Sequence, residues 1–199
     1  MAYDSENLTA EQIVELEQFF NIKLPDRSNS LYAEIKEILH WSKRIIPEYG
    51  EKASWFESPI SEEEIVEWEK SNDIAIPESY KDWLRFSRDS QIRNTLAHFN
   101  SPNGFELNNP GMPEDLVAIG WLIGDGERLC LSKKAGKIVR FYGQKSKEFD
   151  NLKPIVHEVI RMIKGESGIS KKSEDLLLEM VAANKKNLTT DSSSGHRDL

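Results

Sequence analysis

The chain has 199 residues, 38% hydrophobic and 30% charged, with a formal net charge of −8 and one cysteine. That length suits one domain with an extension or two very small ones, and the composition suits a soluble globular protein. The lone Cys130 excludes an internal disulfide framework and a multi-cysteine metal site, and no apolar run approaches the length of a membrane span.

The first predicted element is a helix over residues 9–21. Thr9 can cap its N-terminus, and Gln12, three residues on, completes a capping box. Leu8 and Ile13 form a hydrophobic staple, and Ile13, Leu16 and Phe20 continue an apolar stripe. The helix is expected to end near Asn21, after which Ile22-Lys23-Leu24-Pro25 runs extended, because a residue before proline is pushed out of the helical region. A second amphipathic helix is predicted across 29–45 through Leu31, Ile35, Ile38, Leu39 and Ile45, with Pro47 stopping it.

Residues 61–71 repeat the grammar of the first helix. Ser61 is the cap, Glu64 completes the box, Ile60 and Ile65 form the staple, and Ile74-Ala75-Ile76-Pro77 closes the unit. At an offset of 52, two stretches of 18 residues share seven identities. Chance recurrence of a small helix vocabulary is favoured over duplication, because the sequences after the two prolines do not match.

A further helix is predicted over 78–88. Residues 95–107 are ambiguous, with Leu96, Phe99, Phe105 and Leu107 as the buried members. Residues 117–123 read as a strand, Asp125-Gly126 as a hairpin turn, and 128–132 and 137–142 as strands joined through Ala135-Gly136. The last of these carries apolar groups on both sides, which suits a central strand. Residues 152–164 form an amphipathic helix with Ile155, Val159 and Met162 on one face, and residues 173–184 one more helix. The end, NLTTDSSSGHRDL, is expected to be disordered. Helices first and strands later give an α+β fold: N-terminal helices, then a mainly antiparallel sheet, with C-terminal helices packed on it.

Charge is unevenly placed. Residues 1–80 hold 18 Asp+Glu against 7 Lys+Arg, a balance of −11; residues 81–199 hold 16 against 19, a balance of +3. An acidic N-terminal half disfavours nucleic acid there and attracts a basic partner, although solvated helix faces are the commoner cause of such a count. The polar start MAYDSENLTA has no apolar signal core, so a cytoplasmic location is expected.

No catalytic constellation emerges. His40, His98, His157 and His196 lie in no metal spacing and are expected to be packed or solvated. Cys130 sits in the run LCL and reads as a small buried side chain. Gly124-Asp125-Gly126 lacks the Gly-Lys-Ser/Thr of a phosphate loop and leads into another strand, so a hairpin turn is preferred. Of five tryptophans, Trp68 and Trp83 are core by helical spacing. Trp121 stands beside Asp125, Glu127 and Arg128, and an aromatic with an arginine at a hairpin is what protein-contact hot spots use. These four are the candidate partner-binding residues. A core tryptophan on a strand is the competing reading of Trp121.

ISEEEIVEWEKSNDIAIPESYKDWLRFS resembles the opening of the SUKH superfamily, the Smi–Knr-like domains named after a yeast cell-wall assembly regulator. The resembling parts are the capped acidic helix from Ser61 to Lys70, the turn from Ile74 to Pro77, and Tyr80, Trp83, Leu84 and Phe86. LVAIGWLIGDGERLCLSKKAGKIVRFYGQ is similar to that family's sheet segment. The resemblance covers about residues 30–165. It departs from the family pattern in the longer SRDSQIRNTLAHFNSPNGFEL, in Glu127-Arg128 after the glycine turn, and in Tyr142-Gly143-Gln144 after the second strand. Taken with the residue patterns above, the expected division is an N-terminal helical extension over 1–50, a SUKH-like core over 51–165, a C-terminal helix over 166–186 and a disordered tail over 187–199. The resemblance itself bears on the core. It further implies a non-enzymatic protein-binding module without cofactor or metal, and a bacterial immunity protein that neutralises a cognate toxin. The partner would be a protein, a basic secreted or contact-delivered toxin, rather than nucleic acid or membrane. The alternatives are a housekeeping regulatory scaffold, and a small-ligand receptor or enzyme using Gly124-Asp125-Gly126.

Overall fold

The structure is a computed structural model that describes residues 8–50, 53–123 and 126–165. The expected helix at 173–184 and the tail beyond it lie outside the described residues. Chain contacts divide the protein after Ile163, and the described helices and strands all belong to the first unit, Met1–Ile163.

Helix α1 spans Ala10–Phe20 and α4 spans Glu62–Asn72. Both open with the expected capping box, Thr9 with Gln12 and Ser61 with Glu64. Both end on a left-handed residue with a short polar side chain, Asn21 at φ 50° and Asp73 at φ 53°. In each unit a glutamate then folds back over its own cap. Glu17 accepts from the Leu24 N–H at 2.8 Å and Glu69 from the Ile76 N–H at 2.7 Å. The two bonds are related by the same offset of 52. They lock the extended run before each proline, so shared residues produce a shared device whatever its origin.

Helix α2 spans Tyr32–Arg44 and is followed by a single turn, α3, Ile46–Tyr49. Pro47 therefore opens a turn instead of ending the helical path, in the first-turn position where its missing N–H costs nothing. Helix α5, Glu78–Leu84, is shorter than predicted. The backbone N–H groups of Phe86 and Ser87 both return to the Trp83 carbonyl, which tightens the chain into a turn toward the sheet.

The described strands are β1 Trp55–Phe56, β2 Ser90–Ile92, β3 Ala97–Phe99, β4 Leu116–Leu122, β5 Glu127–Ser132, β6 Ile138–Tyr142 and β7 Lys145–Phe149. They pair antiparallel in sequence order. Helix α6, Lys153–Ile163, closes the unit, with Ile155, Val159 and Met162 buried as expected. The expected α+β architecture is the observed one. The stretch 95–107 resolves into β3, a short 3-10 turn at Pro102–Gly104, and buried Phe105. β6 lies between β5 and β7, paired on both sides as its apolar faces suggested, but next to the edge of the sheet rather than at its centre.

One face of the sheet carries the main core, and the helices cover it. Trp83 stacks on Phe99 with ring centroids 4.3 Å apart and donates its indole N–H to Ser90 Oγ. Leu16, Leu24, Leu31, Ile35, Ile38 and Leu39 belong to the same core, so residues 8–45 pack on the sheet unit instead of standing apart. Helices α2 and α6 meet through Glu34, which is 5% exposed. Its Oε1 takes Lys153 Nζ at 3.1 Å and His157 Nε2 at 2.9 Å. Arg140 bridges sheet to helix, binding Glu127 at 2.5 Å and also Glu158 of α6.

The other face has a smaller buried patch of Leu116, Ala118, Cys130, Val139 and Phe141, with Met112 packed against it. The segment around Met112 is tied down by Lys133, whose Nζ donates to the carbonyls of Leu107 and Glu114 at 3.2 and 2.7 Å.

Candidate partner-binding face

Strand geometry turns alternate side chains to opposite faces. Phe56, Ile92, Ala97, Phe99, Leu122 and Leu129 go to the main core. Their neighbours Trp55, Gln91, His98, Trp121 and Arg128 therefore point the other way, and each is partly exposed. The strand register places these five side by side. Trp55 faces Gln91, Gln91 faces His98, His98 faces Trp121, and Trp121 faces Arg128. The row continues through Phe141 to Ser146 and crosses all seven strands. At about 4.8 Å per strand its length is roughly 29 Å.

A β-bulge aims the centre of this row. The register shifts between Ala118 and Gly120, which puts Trp121 opposite His98 on the outer face. The shift needs a glycine: a Cβ on Gly120 would lie 2.0 Å from the His98 carbonyl oxygen. Behind the bulge sits Tyr80 of α5, fully buried. Its hydroxyl is 2.7 Å from the Ile119 carbonyl and 2.9 Å from that of Asn100, and donates to this pair. The tyrosine of the α5 segment thus supports the strand that carries Trp121.

His98 forms the hinge of the aromatic group. Its ring centroid is 3.9 Å from Trp121 and 5.6 Å from Trp55. Nε2 lies 2.6 Å from Asp89 Oδ1, while Nδ1 is buried without a hydrogen-bond partner among the described residues. The other Asp89 oxygen accepts from the Ser101 N–H at 3.3 Å.

Of the four expected partner-binding residues, the structure brings Trp121 and Arg128 together as direct cross-strand neighbours. Trp121 is on a strand, on the face opposite the main core, and is partly exposed. Glu127 sits on the helix-covered face, bound to Arg140 through both carboxylate oxygens. Asp125, with Gly124, lies outside the described residues. Trp55, Gln91 and His98 joined the row without being singled out as partners. In sequence only Ala97-His98-Phe99 hinted at this, as a polar residue between two apolar ones; Gln91 follows a serine and carried no signal.

His98 and His157 each meet a carboxylate, and His196 lies outside the described residues. Cys130 is buried, and desolvation pushes its thiol up to about 12. Among the described residues no group of three His, Cys, Asp or Glu side chains has the arrangement to hold a metal ion, and no helix is long and apolar enough to cross a membrane. Concavities of 380, 340 and 440 Å³ run along α1 and its C-terminal turn.

In comparison with known proteins, the model of the SMI1 / KNR4 family (SUKH-1) matches residues 59–159, a stretch that starts just before α4 and ends within α6. No curated protein and no solved structure matches the chain.

Proposed function

The chain belongs to the SMI1 / KNR4 family (SUKH-1), and from that membership we propose that it is a non-enzymatic protein-binding module, an immunity protein that neutralises a cognate toxin by covering it. The observation that carries this reading is the transverse row. Trp55, His98, Trp121 and Arg128 stand together on the face the helices leave uncovered. Tryptophan and arginine are the residue types that dominate protein contacts. A strip of this length across a sheet face fits a protein surface better than a small ligand, which prefers a deep concave site. The acidic residues concentrated before residue 81 steer a basic partner toward the molecule from a distance. Inhibition then needs no chemistry, only occlusion.

The test is co-expression with the toxin encoded beside it. The pair is expected to purify as one complex and the chain to rescue growth. Trp121→Ala is expected to weaken the complex about 30-fold, equivalent to about 2 kcal/mol. Absence of both complex and rescue removes the immunity reading.

A further inference from the structure

Building on the binding-module reading, we propose that the row is built for an acidic side chain: the partner segment sets an Asp or Glu carboxylate against Arg128, between apolar residues that lie on Trp121 and Trp55. The row carries donors without acceptors among the described residues. Arg85 is bound by Glu62, Glu78 and Asp82; Arg88 by Glu64; Arg140 by Glu127 and Glu158. Arg128 makes no ion pair and no hydrogen bond among the described residues, although it is partly buried in mid-row. Neither the Trp55 nor the Trp121 indole N–H has an acceptor there, and nor does the Gln91 amide.

The nearby acids are already engaged. Asp89 holds His98 and the Ser101 N–H. Glu106, which with Arg128 acts electrostatically on Cys130, accepts from Asn109. Glu127 is on the far side of the sheet with Arg140.

A guanidinium is a planar fork of donors that matches a carboxylate in two parallel bonds. Covering it without supplying an anionic acceptor leaves a buried unpaired charge, which costs more than a flat apolar contact returns. The occupant of the row must therefore bring the charge. The tryptophans on one side of Arg128 ask for apolar neighbours around that charge, which free small anions lack. The partner is then complementary at two ranges: basic overall, for the acidic half of the chain, with one carboxylate inside its contact patch.

The test uses the full chain as bait for a displayed library of random peptides, with counter-selection on Trp121→Ala. The expected consensus is an Asp or Glu flanked by aromatic or aliphatic residues. A synthetic consensus peptide is then titrated by tryptophan fluorescence. Replacing its acid by the amide is expected to weaken binding at least about tenfold; Arg128→Lys does the same, and Arg128→Glu abolishes binding. A selection without an acidic consensus overturns the proposal, as does undiminished binding by Arg128→Glu. Displacement of the peptide by free glutamate or inorganic phosphate at equal concentration makes this a small-anion site and also overturns it. So does a homodimer in sedimentation that Trp121→Ala dissociates, since a second copy would then be the occupant. A toxin complex that tolerates Arg128→Glu removes this inference alone. An acidic consensus without any toxin complex removes the immunity reading alone.

Discussion

Tyr80→Phe isolates one hydroxyl. The ring stays in place, packed edge-on against Phe105 at 5.8 Å and fully buried, so the cavity term is small. What is lost is the donor to the Ile119 and Asn100 carbonyls at 2.7 and 2.9 Å. A net hydrogen bond is worth about 1 kcal/mol, and an orphaned buried acceptor raises that to as much as about 3 kcal/mol. The Ile119 carbonyl keeps a second donor, the Asn100 N–H at 2.9 Å, and Asn100 itself is partly exposed to water, so the upper figure does not apply. We expect a loss of about 1.5 kcal/mol at pH 7, or about 4 °C in Tm for a unit of this size. Urea unfolding followed by tryptophan fluorescence measures it, with an unchanged m-value. Alkali supplies a sign. Burial pushes the folded Tyr80 hydroxyl well above its ordinary value of 10. Above pH 10 the unfolded chain releases this proton and the folded one keeps it, so this stability is whole below pH 10 and drains as pH rises, by up to about 1.4 kcal/mol per unit. Phenylalanine has no such proton. The gap between wild type and Tyr80→Phe is therefore expected to narrow from pH 10 upward. A gap that stays constant from pH 7 to 11, or a loss under about 0.5 kcal/mol at pH 7, refutes the reasoning.

The other two expectations concern the same sheet. Gly120→Ala forces a Cβ onto the His98 carbonyl oxygen, a backbone atom held in the β3–β4 ladder. The expected loss is about 3 kcal/mol, read by thermal melting, with Trp121 emission shifted as its strand moves; wild-type stability would show that the bulge relaxes freely. The Cys130 thiol ordinarily ionises near 9 and is pushed to about 12 in the fold. Its contribution is whole below pH 9 and is lost as pH rises through 12. Cys130→Ala is therefore expected to be less stable at pH 8 and to lose less than wild type between pH 9 and 12; parallel pH profiles would contradict the burial of the thiol.

The parts legible in the sequence are those fixed by short-range chemistry. A cap and its glutamate or glutamine three residues on meet inside one turn, so α1 and α4 were readable nearly to the residue. β4, β5 and β6 were readable because they are apolar and buried. β7 was not: Lys145-Ser146-Lys147-Glu148 is an edge strand exposed on both faces, and the charges that protect an edge look like a loop. β1 and β2, two and three residues long, offer no periodicity to detect. The glutamates that lock the Leu24 and Ile76 amides were also hidden, since in sequence they look like ordinary solvent-facing helix residues. The binding face was half visible. Trp121 and Arg128 are near in sequence, but Trp55 joins them only through register. Glu127 shows the limit of proximity as a guide. It neighbours Arg128 in the chain, and the two-residue period of the strand sends it to the opposite face.

The helical layer is closed where α2 meets α6. Glu34 finds Lys153 and His157 more than a hundred residues later, whereas every strand pairs with its neighbour in the chain. During synthesis the sheet can therefore assemble strand by strand as it leaves the ribosome, while α2 keeps an apolar stripe without its mate until α6 has been made. Completion of the body waits on its last helix, and a nascent chain cut short before residue 153 carries that unmet surface with it.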